Sequence, residues 1–189
     1  KTKEELEKTI AQMEEGNRFT LTQEGEGVTI CSTGLAAHAM EPHKGYNAIQ
    51  HLLCLLDRVG LEHAGVAQMV HTMAESLAME TDGATVGIAC SDDVAGPLTL
   101  NLAIVDIKED SAAFSFDIRY PVLHKGEDIL EKVEAFAKKL QGTFVLGENK
   151  KPLYVEQDRP FIRNLQQSYE EFTGEKAELL AIGGGTYCR

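Results

Sequence analysis

The chain has 189 residues, 43% of them hydrophobic and 25% charged. That is ordinary globular usage, which excludes both a disordered segment and a fibrous repeat. Thirty acidic against eighteen basic side chains give a net charge of −12, and a surface of that sign repels phosphate backbones, so nucleic acid is excluded as a partner. The longest uninterrupted apolar run, Leu52–Leu56, is five residues, too short for a helix that spans a membrane.

The length suits one domain, or one domain plus part of another. Cys31, Cys54, Cys90 and Cys188 stand far apart with no C-x-x-C pair. Reduced thiols in a cytoplasmic protein are the simpler expectation, with Cys54 as a small core residue. Lys1 stands where an initiator methionine would be, and Gly183-Gly184-Gly185-Thr186-Tyr187-Cys188-Arg189 follows directly on a strand-like run. The expectation is a piece of a longer polypeptide.

Thr2-Lys3-Glu4-Glu5 has the pattern of a capping box, and Leu6, Ile10 and Met13 follow at helical spacing up to Gly16. Phe19 to Thr22 and Val28 to Thr33 read as strands around a Glu24-Gly25-Glu26-Gly27 turn. Asn47 caps a predicted helix carrying Ile49, Leu52, Leu53, Leu56 and Val59, closed by Gly60. A second helix has Val66, Met69, Val70, Met73 and Leu77 on one stripe. Residues 84–90 read as a short strand and 92–97 as a loop. Thr99 to Val105 and Ala112 to Tyr120 alternate as two long strands around Lys108-Glu109-Asp110. Ile129, Leu130, Val133, Phe136, Ala137 and Leu140 make a helix ended by Gly142, and Thr143 to Leu146 a short strand. From residue 28 the order is β-α-(α)-β-β-α-β, which predicts an α+β fold. It is the split-βαβ, ferredoxin-like order, with an antiparallel sheet carrying helices on one face.

After Lys150-Lys151-Pro152 the character shifts. Asp158 precedes a helix with Phe161, Ile162, Leu165, Tyr169 and Phe172, stopped by Gly174. Residues 177–182 are nearly all apolar, as in a strand buried on both faces. The division expected is 1–150 as one domain and 151–189 as a truncated α/β segment.

Three places could carry chemistry. His38 follows a strand end and precedes the turn Glu41-Pro42-His43-Lys44-Gly45, and loops at strand ends present side chains to ligands. A surface histidine without a role is the bland alternative. Asp117 and Arg119 share a strand face. They form either a solvated ion pair or a site where the guanidinium clamps a ligand carboxylate. Gly183-Gly184-Gly185-Thr186 would let a ligand approach the backbone closely, but no Gly-Lys-Ser/Thr phosphate pattern accompanies it. The six histidines (38, 43, 51, 63, 71 and 124) include no His-x-Asp and no His-Glu-x-x-His. No catalytic metal centre is expected within this chain.

Together these motifs resemble a known family. Gly34-Leu35-Ala36-Ala37-His38-Ala39-Met40-Glu41-Pro42-His43-Lys44-Gly45-Tyr46-Asn47-Ala48 is similar to the G-x-x-A-H-x-x-x-P-x-x-G-x-N-A signature of the two-zinc metallopeptidases related to carboxypeptidase G and the aminoacylases. Leu98-Thr99-Leu100-Asn101-Leu102, Phe116-Asp117-Ile118-Arg119-Tyr120-Pro121 and Ala181-Ile182-Gly183-Gly184-Gly185-Thr186-Tyr187 occur in that family's order. The last two are most similar to the bacterial dipeptidase V branch (carnosinase-like, Xaa-His dipeptidases). The resemblance implies a lid or dimerisation domain up to about residue 150 and the return to a catalytic domain at 151–189. It implies that His38 stabilises an oxyanion and that Arg119 holds the terminal carboxylate of a dipeptide or short peptide. Asn101 occupies a substrate-binding motif position, and Gly184, Gly185 and Thr186 line the substrate backbone. Two zinc ions would be held by ligands outside residues 1–189, so this piece alone is expected to lack zinc and peptidase activity. A homodimer is a possible assembly, and a non-catalytic dimerisation or small-ligand-binding module is the alternative reading.

Overall fold

A computed structural model describes residues 1–108 and 111–182. Helix α1 (Lys3–Ile10) starts at the expected capping box: the Thr2 hydroxyl accepts from the Glu5 N–H, and the Glu5 carboxylate accepts from the Thr2 N–H. It ends three residues before Met13, because only Leu6 on it finds a buried place. Strands β1 (Phe19–Glu24) and β2 (Gly27–Ser32) form the predicted hairpin, paired from Phe19 with Ser32 to Glu24 with Gly27.

Helix α2 (Ala48–Val59) begins at Asn47 and stops at Gly60, whose φ of 72° suits glycine. Helix α3 (Ala64–Leu77) packs beside it, burying Val70, Met73, Ala74 and Leu77. Two minimal strands, β3 (Ser91–Asp92) and β4 (Gly96–Pro97), come next. Strands β5 (Thr99–Ile107) and β6 (Ala112–Arg119) follow as a long antiparallel hairpin, with a register shift between Leu102 and Ile104. Helix α4 (Gly126–Lys139) places Ile129 and Phe136 in the same core as Leu53, Val70, Met73, Leu77, Leu98, Leu100 and Leu102. Each such leucine contributes about 1.5–3 kcal/mol by its burial. Helices α2, α3 and α4 thus share one face of the β5–β6 hairpin, which leaves Thr99 and Asn101, of opposite parity to the buried leucines, on the other.

Four expectations change. Residues 84–90 form a turn, not a strand. Gly83 and Gly87 lie at φ of 68° and 87°, and the Ile88 N–H donates back to the Gly83 carbonyl, so the chain folds on itself. Ile88 is buried all the same. Residues 92–97, expected as a loop, belong to the β3–β4 hairpin, built on the Asp92 carboxylate accepting from the Val94 and Ala95 N–H groups. Residues 143–146 pair with no strand among the described residues, and Val145 is 83% exposed. Helix α5 (Pro160–Thr173) is present, capped by Gly174, but buries no residue. Residues 177–182 form no strand, with Leu180 and Ile182 exposed. Apolar composition alone makes no strand where no partner edge adjoins it.

Among the described residues the strands pair as three two-stranded antiparallel sheets. The architecture is mixed α+β.

Candidate functional site

His38 sits on a loop whose base is closed by a two-way bridge: the Leu35 N–H donates to the Tyr46 carbonyl at 3.0 Å, and the Tyr46 N–H to the Leu35 carbonyl at 2.9 Å. Two glycines of the sequence signature make this closure possible. A Cβ on Gly34 would lie 2.5 Å from the Tyr46 oxygen, and one on Gly45 2.6 Å from the Leu35 oxygen. Within the loop, Pro42–Lys44 form a single 3-10 turn, and the Lys44 ammonium pairs with the Glu41 carboxylate.

The His38 side chain is exposed, and its Nδ1 accepts from the Met40 N–H at 3.2 Å. An accepting Nδ1 places the proton of the neutral ring on Nε2, which then points outward as a donor.

The loop is tied to β5. The Thr99 hydroxyl donates to the Ala39 carbonyl at 3.0 Å. Thr99 stands opposite Arg119 across the ladder, and Asn101 opposite Asp117. All four side chains therefore share one face, opposite the core. Arg119 donates to Asp117 through Nε at 2.7 Å and Nη2 at 2.9 Å, a two-point fork with both side chains half-exposed. The expected Asp117–Arg119 pair is thus formed, and it fixes the guanidinium plane. Asn101, half-buried, accepts at Oδ1 from the Asn47 amide at 3.1 Å.

His38, Asn101 and Arg119 consequently belong to one connected surface, linked through Ala39, Thr99 and Asp117. Gly184, Gly185 and Thr186 lie outside the described residues. Thr99 and the second role of Asn47 are not evident from sequence spacing. The only available signal for Thr99 was its parity with Asn101, and Asn47 read solely as a helix cap. Among the described residues, no group of three or more His, Cys, Asp or Glu side chains could hold a metal ion. Asp57, His71 and Glu75 do adjoin, but as a histidine flanked by two carboxylates, at 2.9 Å and 3.5 Å. The Asp57 hydrogen bond, aided by Glu75, raises the His71 pKa.

Comparison with known proteins shows the family. The family model described as the peptidase dimerisation domain (M20) matches residues 26–144, which include the His38 loop and the whole β5–β6 face. The chain belongs to the peptidase dimerisation domain family. The ferredoxin-like α+β reading, with antiparallel strands and helices, is the one this family carries. The chain is similar to "Putative dipeptidase YtjP" of Bacillus subtilis (strain 168), at 38% identity over 159 residues, 82% of this chain and 33% of that protein. It is also similar to "Putative dipeptidase SSP1012" of Staphylococcus saprophyticus, at 34% over 157 residues, and to a "Putative dipeptidase" of Staphylococcus epidermidis, at 31%, with the same coverage. The chain spans about a third of the length of these relatives. The family match ends at residue 144, and helix α5, beyond it, buries no residue.

Proposed function

We propose that this chain is the lid-bearing part of a zinc-dependent dipeptidase, acting on short peptides in the cytoplasm. Residues 1–150 form most of the lid in this reading, and 151–189 begin the return to the catalytic domain. The observation that carries it is the single face joining the His38 loop to Asn101 and Arg119 through the Thr99–Ala39 hydrogen bond. A peptide has two features such a face suits: a carbonyl oxygen that gains charge during hydrolysis, and a terminal carboxylate.

His38, protonated on Nε2, is the donor to the oxygen. Its value lies in being already oriented by the Met40 N–H when charge develops. Arg119 and Asn101 bind the carboxylate. Asp117 keeps the guanidinium fork in one plane, and a fork geometry that suits Asp117 suits a substrate carboxylate as well. Gly184, Gly185 and Thr186 line the peptide backbone. In this reading the two zinc ions are held by ligands outside residues 1–189. The lid's own contribution is binding, orientation and one hydrogen bond in the transition state.

The test compares one dipeptide with a free C-terminus against its C-terminal amide, assayed with the complete polypeptide. Arg119→Lys keeps a charge but loses the fork. It is expected to raise KM for the free acid about tenfold or more and to change the amide little. Equal effects on both substrates would remove Arg119 as the carboxylate contact.

A second reading is favoured by the family description itself. In that reading the domain serves to join two copies of the chain and supplies no chemistry of its own. Light scattering on the 20.7 kDa chain distinguishes a dimer from a monomer. A dimer whose Arg119→Lys and His38→Ala variants retain full activity would favour this reading over the first.

A further inference from the structure

Asn47 uses every hydrogen-bonding position of its amide, and the pattern determines which way a second amide faces. Its Oδ1 accepts from the Ile49 N–H at 3.0 Å and the Gln50 N–H at 3.1 Å, the first turn of α2. A backbone N–H can only donate, so the atom facing α2 is oxygen. Its Nδ2 lies 2.8 Å from the Leu102 carbonyl, which can only accept. Two independent backbone partners therefore fix the orientation of Asn47, an assignment that the shape of an amide alone leaves open.

The consequence reaches Asn101. The same Asn47 Nδ2 lies 3.1 Å from the Asn101 side chain. A donor must meet oxygen there, so Asn101 turns Oδ1 towards Asn47 and its NH2 away from it. We infer that Asn47 is a positioning residue: by holding the Asn101 oxygen, it makes Asn101 present N–H donors on the face that carries Arg119. That face then reads a group that only accepts, a carboxylate, and disfavours one that donates. The inference rests on the proposed role of Asn101 as a substrate contact and adds the cause of its polarity.

Asn47→Asp tests the effect; it also removes the Nδ2 hydrogen bond to the Leu102 carbonyl, a loss that falls on both substrates alike and leaves the preference between them as the readout. Aspartate caps a helix as well as asparagine does, so α2 keeps its start. It replaces Nδ2 by an oxygen, which now faces the Asn101 oxygen. Relief comes if Asn101 rotates, donates to the new carboxylate and turns its Oδ1 outward. In the complete polypeptide, Asn47→Asp is expected to raise KM for the free-acid dipeptide about tenfold, more than it lowers kcat. The preference for free acid over C-terminal amide should fall by a similar factor, because the amide can donate to the outward oxygen. A purely structural role for Asn47 would lower activity on both substrates alike, and that result overturns the inference. Asn101→Ala separates the two levels. If it raises KM for the free acid while Asn47→Asp leaves the preference intact, the site stands and the role of Asn47 falls. If Asn101→Ala changes neither substrate, both fall. A measurement on the unaltered chain does not depend on any variant folding: by NMR, the Asn47 side-chain NH2 is expected to exchange slowly with solvent and the Asn101 NH2 quickly. The reverse order would overturn the assignment.

Discussion

Replacing Gly45 by alanine tests whether the His38 loop is held by the bridge at its base. The added Cβ would lie 2.6 Å from the Leu35 oxygen and 2.7 Å from the Ala37 Cβ, both inside contact distance. The Leu35 oxygen is the acceptor for the Tyr46 N–H, so the methyl group displaces the atom that closes the loop. Gly45 is extended, at φ −110°, so the conflict is one of space and not of backbone conformation. Losing both bridge hydrogen bonds, each worth about 0.5–1.5 kcal/mol, costs about 1–3 kcal/mol. In a chain of this size each kcal/mol moves Tm by about 2–4 °C, so a fall of about 2–12 °C is expected. Thermal denaturation measures the fall, and hydrogen exchange at the Leu35 and Tyr46 amides shows where it originates. Gly147→Ala serves as the control, since nothing lies within 4 Å of its Cβ position. An unchanged Tm together with unchanged protection of those two amides would show that the bridge does not hold the loop.

Two histidines should shape the pH dependence of stability in opposite directions. His51 is buried against Phe19 and Tyr46, with Arg18 and Glu15 nearby, Nε2 on the Glu14 carbonyl and Nδ1 without a hydrogen-bond partner among the described residues; burial lowers its pKa. A base with a depressed folded pKa loses stability as pH falls below its ordinary value of 6.5. His51→Gln should flatten that acid limb in a Tm–pH series. His71, raised by Asp57 and Glu75, supports folding below 6.5 and loses that support as pH rises through its folded pKa, so His71→Gln should flatten the opposite limb. A variant with an unaltered profile would remove its histidine from the account. Thiol alkylation followed by peptide mapping should modify exposed Cys31 well before Cys54 and Cys90, whose thiols burial pushes up in pKa; equal rates for all three would contradict the partial burial of Cys54 on α2 and of Cys90 against the core.

What the sequence made legible was local. Asn47 and Gly60 bound α2, the Glu24–Gly27 turn closes β1 on β2, and the spacing of Ile129, Val133 and Phe136 defines α4, because capping, turn chemistry and helical period act within a few residues. The failures have two causes. At 84–90 the apolar residues concealed a turn set by Gly83 and Gly87. At 143–146 and 177–182 an apolar run was read as a strand although pairing, the property that makes one, depends on an edge elsewhere in the molecule. The site divides in the same way. His38, Asn101 and Arg119 stand out by motif, whereas the links that join them do not. Asn47 meets Asn101 across 54 residues and Thr99 meets Ala39 across 60, separations at which no local pattern speaks.

In the proposed function the lid supplies a hydrogen-bond donor to a peptidase centre held elsewhere in the polypeptide. Turnover and zinc content of the complete polypeptide, measured together for the parent and for His38→Ala, test it most directly. Loss of one such donor corresponds to about 2.7–4 kcal/mol in the barrier, a fall in kcat of about a hundred- to a thousandfold. That fall is expected with zinc content unchanged. Parental turnover in His38→Ala would contradict it.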